Sequence, residues 1–303
     1  MRRVLSFCVV ISIAISLVFS VNWKSVYVGS ILLFIPKKEK GYLKSFFFHL
    51  NVFSDFPFVL NSTKPLTTLY LKNHDMLYQN IGYNSYNNFE DFFECFHPIN
   101  LKMNRGLEAW KKYAHFFPSN NIYISITKTE LPESCIILII FNEQILRKTI
   151  NEHYNDFSKI LGEHFSCEIF IEKLKNPSTD FHKLVQKNDY LMGLIYGFGK
   201  DNAQAFQLRV DSNEFSIPPY LKRFDYPNSP DGLNSSELKS FWGRENPINL
   251  FDPFFTSIPN FVTNPKSLQT KNLKNEYLIS YKEINKSQRE KDILSWSLIK
   301  LIK

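Results

Sequence analysis

The sequence predicts a helix-dominated α+β fold in which a small antiparallel sheet packs against helices. Three observations predict it. Residues 142–211 carry apolar side chains at helical spacing almost throughout. Just before them, Ile122, Ile124 and Ile126 alternate with Tyr123, Ser125 and Thr127, the period of a half-buried strand. The run 135–141 (CIILIIF) is apolar on both faces, as a central strand requires. Composition agrees. With 303 residues, 44% hydrophobic, 29 Phe and only 10 Gly, the chain can bury a large core, so residues 21–303 are expected to form one folded unit.

The chain opens on a different kind of segment. Arg2-Arg3 precede an uncharged apolar run over residues 4–21, the pattern of a secretory signal or an uncleaved membrane anchor. Val18-Phe19-Ser20 offers small residues for cleavage before Val21. A second apolar stretch, residues 26–35, contains another acceptable triplet, Val28-Gly29-Ser30. The first run is marginally long enough for a spanning helix, which needs about 20 residues. Lys37-Lys38-Glu39-Lys40 beyond it weighs against an anchor whose N-terminus stays inside. Cys8 does not mark a lipoprotein, because Phe7 precedes it and it lies inside the apolar run. Residues 1–20 are therefore expected to direct export or to anchor the chain in the envelope, and to contribute nothing to the packed interior.

In residues 21–141, the aromatic runs 46–48 and 53–60 read as buried, with Pro57 interrupting, and residues 66–71 (LTTLYL) read as a strand. Residues 73–88 are polar and turn-like. A short amphipathic helix is expected over 89–96, with Glu90, Asp91 and Glu94 on its solvated face, and a second from about Asn104 to Phe116, stopped by Pro118. The strands at 122–127 and 135–141 then form an antiparallel hairpin.

The region 142–212 should be helical. Asn142 caps a helix that ends at Gly162, Ser166 opens the next, and Ser178 opens one that continues through Ile195. Residues 213–265 hold eight of the 15 prolines, which excludes a regular element. Their many aromatics indicate a loop that covers the body, since a flexible linker would lack them. Residues 266–303 close the chain with helices. The last is strongly apolar with flanking lysines; it either packs on the core or lies on an anionic membrane, as basic helices carrying Trp do.

The net charge of +7 belongs to the ends. Residues 1–20 hold +2 and residues 264–303 hold +5, leaving the body neutral. A nucleic-acid partner would need its basic footprint on the folded body, so none is expected. Without the leader, Cys95, Cys135 and Cys167 remain. Three cysteines exclude a disulfide scaffold and read as buried thiols.

One string resembles a site: residues 189–209, DYLMGLIYGFGKDNAQAFQLR. It is not a phosphate loop, because position 194 is Leu and position 201 is Asp where that loop needs Gly and a hydroxyl. It is not a dinucleotide fingerprint either, because position 202 is Asn. The structural reading places Gly193 and Gly197 on one helical face, where a neighbouring backbone approaches, and has Gly199 end that helix with Asp201 or Asn202 capping the next. The functional reading makes Lys200, Asn202 and Arg209 the ligand-binding groups, with Asn202 and Arg209 seven apart on one face.

The glycine–asparagine segment here, Lys64-Pro65 after an aromatic run, and Phe261 followed by Asn264-Pro265 before the final helices are similar to a family of uncharacterised exported proteins from intracellular bacteria. The resemblance spans most of residues 41–303. It implies export and a helix-rich fold, and it brings no activity, cofactor or catalytic residue.

Known chemistries are missing from the sequence. Glu152-His153 and Glu163-His164 do not form His-Glu-x-x-His, and Gly162 separates the two histidines. No Gly-x-Ser-x-Gly elbow occurs. Ser236–Lys239 and Ser297–Lys300 match Ser-x-x-Lys without its companion motifs. Asn61, Asn234 and Asn285 begin glycosylation sequons, relevant only in a host that uses them. No catalytic residue, metal site or cofactor is expected. The function expected is binding in the cell envelope, to a protein partner or the membrane surface. The rival is an envelope hydrolase with its site near residues 189–209. An exposed aromatic patch on a convex helical surface would favour the first, and a polar pocket with perturbed histidines or carboxylates the second.

Overall fold

The structure is a computed structural model. It describes residues 22–72, 90–119, 121–127, 135–211, 222–224, 261–264 and 266–302; residues 72, 90–100, 135, 209–211, 222–224 and 261–263 are described by backbone alone. Residues 1–21, which include the expected leader, the polar stretch 73–88 and most of the Pro-rich region 213–265 lie outside the described residues.

The fold is α+β and dominated by helices. Its centre is a three-stranded antiparallel sheet in the order β1-β3-β2, with β1 at Leu66–Lys72, β2 at Ile122–Thr127 and β3 at Cys135–Asn142. In register, Leu69 faces Leu138 on one side of β3, and Ile126 faces Leu138 on the other. The hairpin and the central position of β3 follow the sequence pattern. Ile137 to Phe141 are fully buried because helices cover both faces.

Alternation along β3 divides the core in two. Leu138 and Ile140 face a layer built from α1 (Trp23–Phe34), α2 (Lys37–Phe53), α3 (Phe56–Leu60), α4 (Glu90–Tyr113) and the two C-terminal helices. Ile137, Ile139 and Phe141 face the helices of 142–211. These are α5 (Glu143–Glu152), α6 (Tyr154–Leu161), α7 (Cys167–Lys175), α8 (Phe181–Leu184), α9 (Asp189–Ile195) and α10 (Lys200–Asp211). A two-stranded ladder pairs β4 (Lys222–Phe224) with β5 (Phe261–Thr263). The chain ends in α11 (Leu268–Arg289) and α12 (Ile293–Leu301).

Several caps expected from the sequence are present. The Asn142 side chain accepts from the Ile145 amide and Ser166 from the Ile169 amide, while Gly162 ends α6 at φ 105°, although the single helix expected from Asn142 to Gly162 is interrupted at His153 into α5 and α6. Other expectations need correction. The helices expected at 89–96 and from Asn104 are one continuous helix, α4, with Pro98 inside it. Tertiary packing overrides the local break: α4 lies along α2, with Trp110 edge-on to Phe47 at 5.3 Å. At their crossing is Gly106, where a Cβ would come within 2.8 Å of the Tyr42 carbonyl oxygen. The helix expected to run from Ser178 through Ile195 is two helices. Asp180 caps α8, Gln186 and Lys187 both turn left-handed at φ 53°, and Asn188 restarts the chain as α9. The last helix packs on the core, with Trp296 buried and its Nε1 donating to Ser287, so the membrane-surface reading of α12 does not hold.

Candidate functional site

The three strings singled out in the sequence meet at one junction. Lys64 and Pro65 lead into β1, the glycine string forms the α9–α10 turn, and Asn264 leads into α11. Helix α9 ends at Ile195, so Gly197 is not helical as the sequence reading had it. It turns left-handed at φ 78°, and a Cβ there would strike the Pro65 ring at 2.5 Å. Gly193 does permit a close approach, to Ala203. Gly199, also left-handed, precedes α10.

Beside this turn Lys64, only 1% exposed, forms an ion pair with Asp55, and its ammonium lies 4.9 Å from the centre of the Phe198 ring and 5.7 Å from that of Tyr196. The Tyr196 hydroxyl bonds Thr68 at 2.7 Å, and burial pushes its pKa up, keeping the phenol neutral.

Asn202 is 0% exposed. Its Nδ2 donates to the Phe198 carbonyl at 2.8 Å, and its Oδ1 accepts from the Asn264 amide at 3.0 Å and from the Thr270 hydroxyl at 2.7 Å. The Asp201 carboxylate accepts a hydrogen bond from the Ser267 hydroxyl, and its backbone amide donates to Gln269 Oε1. These groups tie the starts of α10 and α11 together, and none of the Asn202 bonds reaches a surface.

Lys200 is placed differently. It is half-exposed and pairs with Asp156 at 3.3 Å. Asp156 also lies 3.8 Å from His153 Nδ1. Burial lowers the His153 pKa, against the opposing pull of Asp156 and Glu152. The Tyr190 phenol is pushed up by burial, with the Asp156 carboxylate adding to the effect. Lys200 and Asn202 therefore share no surface, and Arg209 is described by its backbone alone, on the last turn of α10. The His153–Asp156–Lys200 cluster can hold a neutral histidine at neutral pH, but its carboxylate is engaged by the lysine. Sequence reasoning missed it because His153, in the α5–α6 turn, and Asp156, in α6, meet a lysine at the start of α10 that lies 44 positions beyond Asp156.

Among the described residues, no group of three or more His, Cys, Asp or Glu is arranged to hold a metal ion. Cys167 is a buried free thiol, and burial raises its pKa. The Asn61 side chain is engaged by Ser280, Glu283 and Lys300, so a glycan there would break those bonds.

The most unusual surface is on α1. Asn22 caps it by accepting from the Ser25 amide. Val28, Leu32 and, just past its end, Ile35 face the core. The opposite arc is also apolar: Trp23 is 61% exposed, Val26 52%, Tyr27 43%, Leu33 81% and Phe34 86%. At 100° per residue these five, with Gly29 and Ser30, form one continuous arc without a charge. Phe116 extends it, exposed beside Tyr27, whose hydroxyl donates to the Phe116 carbonyl. The signal was present in the second apolar stretch at 26–35, where Val28, Leu32 and Ile35 recur at helical spacing. The triplet Val28-Gly29-Ser30 lies inside this helix.

No family model, no curated protein and no solved structure matches this chain.

Proposed function

We propose that the protein is exported to, or anchored in, the cell envelope and acts there by binding. The observation that carries this reading is the charge-free apolar arc of α1, which begins two residues after the apolar run 4–21 ends. A large exposed apolar patch on a folded body marks an interaction surface. The groups expected to serve a ligand at residues 189–209 lend no comparable support to a catalytic reading, since Asn202 is spent inside the fold.

The rival reading, an envelope hydrolase, has one observation in its favour: the lowered pKa of His153 beside Asp156, which suits a neutral base. A hydrolytic activity lost in His153→Ala and retained in Trp23→Ser would establish the rival and displace the binding reading.

Cell fractionation with N-terminal sequencing tests the proposal. The chain is expected in the membrane or envelope fraction, beginning either at Val21 or, if uncleaved, at Met1. Recovery of the intact chain, leader included, as a freely soluble cytosolic protein would overturn it.

A further inference from the structure

We infer that the exposed arc of α1 is a lipid-docking face, on which the helix lies in the interfacial layer of an anionic bilayer. This deepens the envelope reading and rests on it.

Three features of the molecule point to lipid as the occupant. The first is the helix itself. An amphipathic surface helix turns a polar side to water, whereas the outer side of α1 presents Trp23, Val26, Tyr27, Leu33 and Phe34, and Lys24 is the one charged residue in its sequence. With 12 residues it spans about 18 Å, too short for a hydrocarbon core of about 30 Å. No helix among the described residues is long and apolar enough to cross a membrane. A short helix, attached to the body by one face and apolar on the other, fits a position in the bilayer plane. The second is chemistry. Trp and Tyr favour the headgroup boundary, where an apolar ring can be buried while its polar end stays wet. The Tyr27 hydroxyl already has its polar partner in the Phe116 carbonyl.

The third is charge and continuity. Lysines lie near both ends of α1. Lys24 lies on the helix itself, and Lys37 and Lys38 follow one turn past its end. Lys291 donates to Ser25 of α1, and Lys300 is close enough to Lys24 and Lys291 for their charges to lower its pKa, after burial and against the pull of Glu283. Of the acids nearby, Glu39 is held by Lys112 and Tyr113. Cations around an apolar face suit anionic headgroups. In the sequence only Asn22 separates the uncharged run 4–21 from Trp23, so a leader held in the bilayer would deliver Trp23 to the lipid boundary. A protein partner would match the apolar arc, but it would not account for that junction with the leader.

The test reconstitutes the full-length protein with vesicles of phosphatidylcholine plus phosphatidylglycerol and follows tryptophan emission. Lipids brominated near the headgroup quench indole rings only at short range. The difference between the wild type and Trp23→Phe isolates Trp23 from Trp110, Trp242 and Trp296. The Trp23 component is expected to be quenched, and the double variant Leu33→Asp, Phe34→Asp is expected to reduce the quenched population at least about tenfold. Both replaced residues are exposed, so the fold should survive, which circular dichroism checks. An unquenched Trp23 on a protein that floats with the vesicles overturns the lipid assignment and leaves the envelope reading standing. Crosslinking of Trp23 to a co-purifying protein, or burial of Trp23 under residues 1–21, does the same. Failure of the full chain to bind vesicles, with a cytosolic location in cells, removes both.

Discussion

Asp55 and Lys64 form the pair on which the junction depends, and neither can be changed lightly. Lys64 is sealed from water under Tyr196 and Phe198, so a neutral partner at position 55 would strand its charge. Asp55→Asn is expected to cost about 3–5 kcal/mol in a denaturant titration, and a cost below about 1 kcal/mol would show that water reaches the ammonium. Gly106 sets a different kind of limit. A methyl group there would meet the Phe46 side chain and the Tyr42 backbone, which cannot retreat without separating α2 from α4. Gly106→Ala should therefore destabilise by about 1–3 kcal/mol, although alanine favours helices. At Gly41 nothing lies within reach of an added Cβ, so Gly41→Ala should be neutral or stabilising in the same titration.

Two histidines make stability depend on pH. Burial lowers the pKa of His49, stacked beside Phe53, with the Ser45 carbonyl opposing and Lys102 assisting. Burial lowers that of His153 as well. A histidine with a depressed folded pKa binds fewer protons when folded than when unfolded. Its contribution is thus complete above the unfolded value of about 6.5 and is lost as pH falls below it toward the folded value. Midpoints measured between about pH 7 and pH 5 should fall, and His49→Phe should flatten that slope. An unchanged slope in both His49→Phe and His153→Gln would mean that neither site is dry.

Among the elements, α2 is tied to the C-terminal helices by polar groups inside an apolar core. Asn51 donates to the Phe47 carbonyl and the Ser297 hydroxyl, and accepts from Gln288. Asn51→Ala removes these bonds at once and should cost about 2–3 kcal/mol, whereas Ile279→Ser, on the exposed side of α11, should stay within about 0.5 kcal/mol. The elements also show what was legible in the sequence. Strand β3 announced itself because seven consecutive apolar residues, 135–141, fit a site covered on both faces. The caps at Asn142 and Ser166 were readable because each is a local event. The union of 90–113 into one helix was not, since it depends on α2, distant in sequence, supplying the groove around Gly106. The break in 180–195 was half-legible: Asp180 and Asn188 are good caps, but Gln186 and Lys187 carry no residue-type signal for their left-handed turn.

Among the described residues, the three-stranded sheet serves two cores. The junction of Lys64-Pro65, the glycine string and Asn264 holds the two layers together across β1, which accounts for those residues without assigning them a ligand. Of the expected site residues, Asn202 could be placed only by knowing where Asn264 and Thr270 would lie, information that no helical pattern contains. The α1 face was hidden for another reason: next to an apolar leader, a second apolar stretch reads as more leader. Its five exposed side chains pose two alternatives, a body that merely follows a signal and, as proposed, one that rests against a membrane. Quenching of Trp23 in the intact protein on anionic vesicles decides between these. Emission lost to headgroup-brominated lipid, and regained with Leu33→Asp, Phe34→Asp, is the outcome expected here; a Trp23 that stays bright while the protein is vesicle-bound would contradict it.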